Sequence, residues 1–138
     1  MEPVNPAYKD FVNDQFASAA FIQHLGIKLV DFEPGRVDTR VPLRPELLQQ
    51  DGYVHAGVIA TLADHSSGMA AGTLSPAGRK VLTVEFKLNL MRPGSGDALT
   101  CRAEVVRPGR TLSVTEARVF GGDEKLIALM TATMALVE

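Results

Sequence analysis

The sequence predicts an α+β fold in which an antiparallel sheet of about six strands curls around one long central helix, residues 56–74, with an extra helix at the N-terminus. Three observations carry this. From residue 81 to the C-terminus, runs with a two-residue apolar period alternate with short turns. Two further strand-like runs precede the 56–74 segment. That segment is the one long apolar element able to cover a sheet face, and strands segregated in this way imply an antiparallel sheet that needs one face covered.

In chain order, residues 1–10 carry two prolines and little pattern, so an irregular arm is expected. Residues 11–24, FVNDQFASAAFIQH, space Phe11, Val12, Phe16, Ala19, Ala20 and Phe21 as an amphipathic helix, which Gly26 stops. Residues 27–33 and 36–43 read as strands joined by Pro34 and Gly35, and Pro42 and Pro45 end the pairing because proline donates no ladder hydrogen bond. A loop with one helical turn leads to the long helix. In 81–91, VLTVEFKLNLM, the pattern turns Leu82, Val84, Phe86, Leu88 and Leu90 one way and Thr83, Glu85, Lys87 and Asn89 the other. Residues 98–107 and 111–120 alternate again, separated by PGR. Residues 125–137 are apolar on both faces. Their composition suits a helix, but the preceding hairpin rhythm and the repeated threonines favour a strand. One domain, 1–138, is expected, with 1–23 as N-terminal arm and helix.

The 138 residues carry a formal charge of −2, which gives no bulk attraction to nucleic acid or to an anionic membrane. No apolar run approaches the ~18 residues of a membrane span. The start, MEPVNPAYKDF, lacks the basic residues and apolar stretch of a secretory signal. Cys101 is the single cysteine, so no internal disulfide can form. A cytoplasmic protein without nucleic-acid or membrane partners is the expectation.

The unusual stretch is DGYVHAGVIATLADHSSGMAAG, residues 51–72, where an aspartate interrupts an apolar helix. At 100° per residue, Gly57, Ala60 or Thr61, Asp64, Ser67 or Gly68, and Ala71 share one stripe. That stripe is nearly free of side-chain bulk, which admits another backbone, another subunit or a ligand. Asp64 is then either a solvated edge residue or a partly desolvated carboxylate beside a narrow slot, able to act as base or nucleophile. His55 stands just before the first turn. Ala56 and Gly57 offer helix-start N–H groups suited to a developing oxyanion, on the face that carries Asp64.

Three segments in order, GYVHAGVIATLADHSSGMAAG, VEFKLNLMRPGSGD and RPGRTLSV, strongly resemble the hotdog-fold thioesterases of the phenylacetic-acid-degradation (PaaI-like) type, within the 4-hydroxybenzoyl-CoA thioesterase superfamily. The likeness covers about residues 24–138. It implies a hotdog fold, acyl-CoA as substrate, and protomers paired through the 81–91 strand as a homodimer or homotetramer with active sites at the interface. It implies Asp64 as the activating or attacking carboxylate, the Ala56 amide with Gly57 beside it as oxyanion donors, and His55 as orienting group. Relatives have glycine where Ala56 stands, and often an asparagine where this chain has Gln49 and Gln50, so either glutamine is a candidate for holding water. Relatives can also use a hydroxyl from the partner's long strand; Thr83 is the candidate for it, or else an ordinary outward residue of its strand. A non-catalytic acyl-CoA-binding module and a hotdog hydratase are the competing readings, and the carboxylate within LAD disfavours the hydratase.

Other chemistries find no support. Asp64 and His65 point about 100° apart, and no HExxH or cysteine pair exists, so no metal site is expected. His65 reads as a flanking or interface residue, and Cys101 as core. Arg92, Arg107 and Arg110 lie near turns, where they either contact coenzyme A phosphates or are ordinary solvated charges. No cofactor is expected beyond the coenzyme A of the substrate. Phe16, Phe21 and Phe86 would suit an aryl or medium-chain acyl group.

Overall fold

The structure is a computed structural model that describes residues 1–138. Two short helices, α1 (Tyr8–Ser18) and α2 (Ala20–Leu25), lead into β1 (Lys28–Glu33) and β2 (Arg36–Pro42). A single 3-10 turn (Pro45–Leu47) precedes α3 (Ala56–Gly72), and β3 (Lys80–Leu90), β4 (Ala98–Arg107), β5 (Leu112–Phe120) and β6 (Leu126–Val137) follow. The sheet is antiparallel throughout with order β1-β2-β4-β5-β6-β3. The predicted sheet, central helix and hotdog arrangement are therefore present.

The packing explains why these segments settle as they do. On α3, Val58, Ile59, Leu62 and Ala63 are buried, and Met69 and Ala70 continue that face a turn later. They meet the inward residues of every second position on β2, β4, β5 and β6, among them Val37, Leu99, Val119 and Met130. Residues 126–137 are a strand because Ala128, Met130, Ala132 and Met134 all lie on this inner face, paired between β5 and β3. Helix propensity yields there to tertiary pairing.

The N-terminal helix departs from expectation. It begins at Tyr8, inside the predicted arm, and it breaks at Ala19, whose backbone is extended (φ −77°, ψ 91°). Ser18 turns its hydroxyl back onto the Asp14 carbonyl (2.7 Å), and Gln23 Nε2 donates to the freed Phe16 carbonyl (2.6 Å), so side chains take over groups that a continuous helix would pair. The break lets α1 lie across α3, with Phe11 against Gly72 and Val12 fully buried.

The second departure matters for the site. The β3–β6 register slips between Thr83 and Glu85, leaving Val84 as the extra residue of a β-bulge. Thr83 pairs with inward-facing Met134, and Phe86 pairs with inward-facing Ala132. The inner face of β3 is therefore Val81 and Thr83 before the bulge, then Phe86, Leu88 and Leu90 after it. Leu82 and Thr83 thus exchange the faces that the uninterrupted alternation predicts.

The two sheet edges differ. β1 is short, bulges at Val30 and carries Lys28, Asp31 and Glu33, all of which discourage further pairing. β3 has 11 residues and leaves Leu82, Val84, Phe86 and Leu90 at 56%, 59%, 47% and 49% exposure. Leu62, fully buried at the middle of α3, tests the core: Leu62→Ala is expected to cost about 2–5 kcal/mol in denaturant unfolding at fixed protein concentration.

Candidate active site

The chain is pinned where it enters α3. Val54 N–H donates to the Gly94 carbonyl (2.9 Å) and His55 N–H to the Leu47 carbonyl (3.0 Å). His55 is the N-cap, in extended conformation, and its Nδ1 accepts the Gly57 N–H at 2.8 Å. Val58 N–H takes the His55 carbonyl (2.9 Å). The Ala56 N–H makes no hydrogen bond in the chain, so of the two helix-start amides Ala56 is the free one and Gly57 is engaged. Because Nδ1 accepts, the neutral His55 ring carries its proton on Nε2 and presents it as a donor.

Ala56 opens onto a cleft of about 400 Å³ whose other walls include Gln49, Val54, Ile59, Leu90 and Met91, with Arg92 also on its wall. Gln49 is fixed there by its own turn: its Oε1 accepts from the Asp51 and Tyr53 N–H groups and its Nε2 donates to Asp51 Oδ2 (3.5 Å), which leaves one side-chain N–H available. Gln50 lies outside this lining, exposed, with its amide on Asp51 (3.2 Å). No sequence signal separates the two glutamines, because the turn's backbone geometry decides which one faces the cleft.

Asp64 sits two turns further along α3, partly buried. The Thr83 hydroxyl donates to its Oδ1 at 2.7 Å and also lies 3.5 Å from the Met134 sulfur. The bond forms within one chain rather than across to a partner, and it places Thr83 inward rather than outward, which the Val84 bulge makes possible. Beside Asp64 the stripe is open: a Cβ added at Gly68 would meet no atom within 4 Å. Chemically, a carboxylate with one oxygen held and the other available can take a proton from water or attack a carbonyl carbon. Eight residues of helix put Asp64 about 12 Å from Ala56 along the axis. A reacting carbonyl must lie about 3 Å from both its attacking group and its oxyanion donor. Within one chain the Ala56 amide and the Asp64 carboxylate therefore lie too far apart to act on one carbonyl.

The family profile of the thioesterase superfamily matches residues 51–128, which span the helix start, Asp64, Thr83 and the sheet core. The chain belongs to the thioesterase superfamily. A thioesterase family protein from Silicibacter pomeroyi has 41% sequence identity, with 94% of this chain and 98% of that one covered at a TM-score of 0.91. The 1,4-dihydroxy-2-naphthoyl-CoA hydrolase of Listeria monocytogenes is 26% identical over 112 residues, 81% of this chain and 91% of its own. The PaaI protein of E. coli, at 19% identity, shares the fold, with a TM-score of 0.89 over 98% of this chain and 96% of that one.

The remaining candidates of this thioesterase-superfamily chain fall into separate places. Arg107 and Arg110 line a groove of about 310 Å³ with Leu112, Val114 and Thr133, next to the Thr83 end of β3 by register. Arg92 lies at the other end of β3. Cys101 is a core thiol pushed up to about 12 by burial, which keeps it protonated and inert. His65 turns away from Asp64 and packs its ring edge-to-face on Phe16 at 4.6 Å, with Nε2 buried and unpartnered. No group of three His, Cys, Asp or Glu side chains is placed to hold a metal, and no helix is long and apolar enough to cross a membrane.

Burial lowers the His65 pKa from 6.5 to about 4. The unfolded chain then binds this proton before the folded one does, so stability falls as pH drops from 6.5 toward 4 and is unaffected by His65 above that range. The loss reaches roughly 3 kcal/mol at most. Unfolding curves of wild type and His65→Phe across this range should differ in slope, with the variant losing less stability on acidification. Parallel curves would contradict the assignment.

Proposed function

We propose that this chain is an acyl-CoA thioesterase that works as a dimer joined through β3. The observation that carries the reading is the Thr83 hydrogen bond to Asp64 on the small-residue stripe of α3. A surface aspartate needs no such partner, whereas a reacting carboxylate must be held in one rotamer. Antiparallel pairing of two β3 edges would turn the Ala56 end of one helix toward the Asp64 of the other. That operation closes the 12 Å gap left within one chain, and it also brings one chain's Arg92 end toward the other's Arg107 and Arg110.

In this reading the thioester carbonyl lies against the Ala56 N–H, with the Nε2–H of His55 and the remaining side-chain N–H of Gln49 as further donors. Asp64 removes a proton from an attacking water, or attacks the carbonyl carbon itself to form a mixed anhydride that water then hydrolyses, freeing Asp64. In either course the C–S bond breaks, the sulfur leaves as the coenzyme A thiol, and the acyl group leaves as a carboxylate. The arginines face the phosphates of coenzyme A, which arrives as part of the substrate, so no separate cofactor is needed. The apolar walls Val54, Ile59, Leu90 and Met91 suit an aryl or medium-chain acyl group.

One observation favours a second reading. Gln49 has its carbonyl oxygen occupied by the turn, so it offers water a donor but no acceptor, which suits a non-catalytic acyl-CoA-binding module. Release of free thiol across a panel of aryl, short, medium and long acyl-CoA esters separates the two. The thioesterase reading predicts turnover, with kcat lowered at least ~10²-fold by Asp64→Asn. Tight ester binding without thiol release by the wild type favours the module, and an unchanged rate in Asp64→Asn removes Asp64 from the reaction.

A further inference from the structure

We infer that the second copy pairs with β3 in one register, with Phe86 on the two-fold axis, Glu85 opposite the second copy's Lys87, and Thr83 opposite its Leu88. The inference rests on the dimer reading above and specifies it residue by residue.

Directly opposed residues of an antiparallel pair share a face, and a one-residue slip turns every side chain over. The faces of β3 follow from its pairing with β6: Phe86, Leu88 and Leu90 lie inward, and Glu85, Lys87 and Asn89 outward. A two-fold axis must therefore pass through a residue opposed to its own copy. Among the central positions this leaves Glu85, Phe86 and Lys87. An axis at Glu85 sets two carboxylates against each other, and an axis at Lys87 sets two ammonium groups against each other, both unfavourable. An axis at Phe86 instead forms two Glu85–Lys87 pairs and stacks two half-exposed phenyl rings on the inner face. Glu85 already accepts a hydrogen bond from Thr133 at Oε1 (3.2 Å), which leaves Oε2 for the lysine.

The bulge then decides the flanks. With Val84 as the extra residue, Thr83 meets the second copy's Leu88, and Val81 meets its Leu90. Every opposed pair keeps its face: the inner pairs are Val81 with Leu90, Thr83 with Leu88 and Phe86 with Phe86. Leu90 lines the cleft into which the Ala56 amide opens. The second copy's Leu90 would thus come to rest two residues from Thr83, which carries the amide end of its helix to the Asp64 end of the first. The register that satisfies the charges is also the one that assembles the site.

Three single-cysteine variants locate the axis: Glu85→Cys, Phe86→Cys and Lys87→Cys. The native Cys101 is 2% exposed and does not compete. Opposed residues have Cα atoms about 4.5–5.5 Å apart, within disulfide reach, whereas copies of a residue one position off the axis are roughly 8 Å apart, beyond it. Under mild oxidation Phe86→Cys should give the covalent dimer on a non-reducing gel, and the other two should not. Cross-linking of Glu85→Cys or Lys87→Cys in its place, or a dimeric Phe86→Cys protein that stays uncross-linked, overturns the register and leaves the dimer reading intact. A monomeric mass of the wild type by light scattering at micromolar concentration overturns both. As a second arm, Glu85→Lys should raise the dimer dissociation constant at least ~10-fold, and the double variant Glu85→Lys with Lys87→Glu should restore it. Failure of that restoration contradicts the pairing.

Discussion

The hydrogen bond from Thr83 to Asp64 depends on one extra residue. Without the bulge at Val84, strand alternation would keep Thr83 on the outer face of β3 with Glu85 and Lys87, and Asp64 would face an apolar strand with nothing to hold its carboxylate. With the bulge, the inner face changes from odd to even numbering midway along the strand. The first half then supplies a hydroxyl to the helix, and the second half supplies Phe86, Leu88 and Leu90 as apolar surface. One local irregularity thus gives β3 two roles, holding a polar group toward the core at one end and an apolar edge at the other.

The central helix is divided in a matching way. The segment entering it is fastened to the turn after β2, through Leu47, and to the loop after β3, through Gly94, and its first turn uses the Gly57 amide on the His55 cap. That leaves a single free N–H, at Ala56, over a cleft with apolar walls. Alanine at this position keeps the amide and adds only a methyl, so the departure from the glycine of relatives leaves the donor in place. Two turns on, Asp64 borders open space beside Gly68, while its neighbour His65 is buried under Phe16 of α1. Adjacent residues on one helix thus serve opposite ends: Asp64 faces the proposed chemistry, and His65 helps dock the N-terminal helix at the cost of a neutral, unpartnered nitrogen.

Much of this was legible in the sequence, and the misses have local causes. The helix period alone put Gly57, Asp64 and Gly68 on one stripe, and the strand period marked each strand of the sheet. The bulge was invisible because Val84 continues the apolar alternation unbroken; only pairing with β6 shows that Thr83 and Phe86 share a face. The break at Ala19 carries no glycine or proline to announce it, since it depends on Gln23 reaching back to Phe16. Gln49 and Gln50 are chemically identical in sequence, and a turn hydrogen-bonded through Asp51 and Tyr53 chooses between them. The strand assignment of 126–137 rested on the rhythm of its neighbours, which is how the sheet itself overrides helix propensity there.

If the working site takes its carboxylate from one chain and its amide from the other, two inactive chains should repair each other. Asp64→Asn removes the carboxylate, and Ala56→Pro removes the free N–H at a helix position that tolerates proline. Co-expressed in equal amounts, the two variants form mixed dimers in which one of the two sites combines an intact Asp64 with an intact Ala56 amide. Thioester hydrolysis by the co-expressed pair should then return to about one quarter of the wild-type rate, from half the dimers carrying one good site each. A mixture no more active than either variant alone would contradict a site shared between chains.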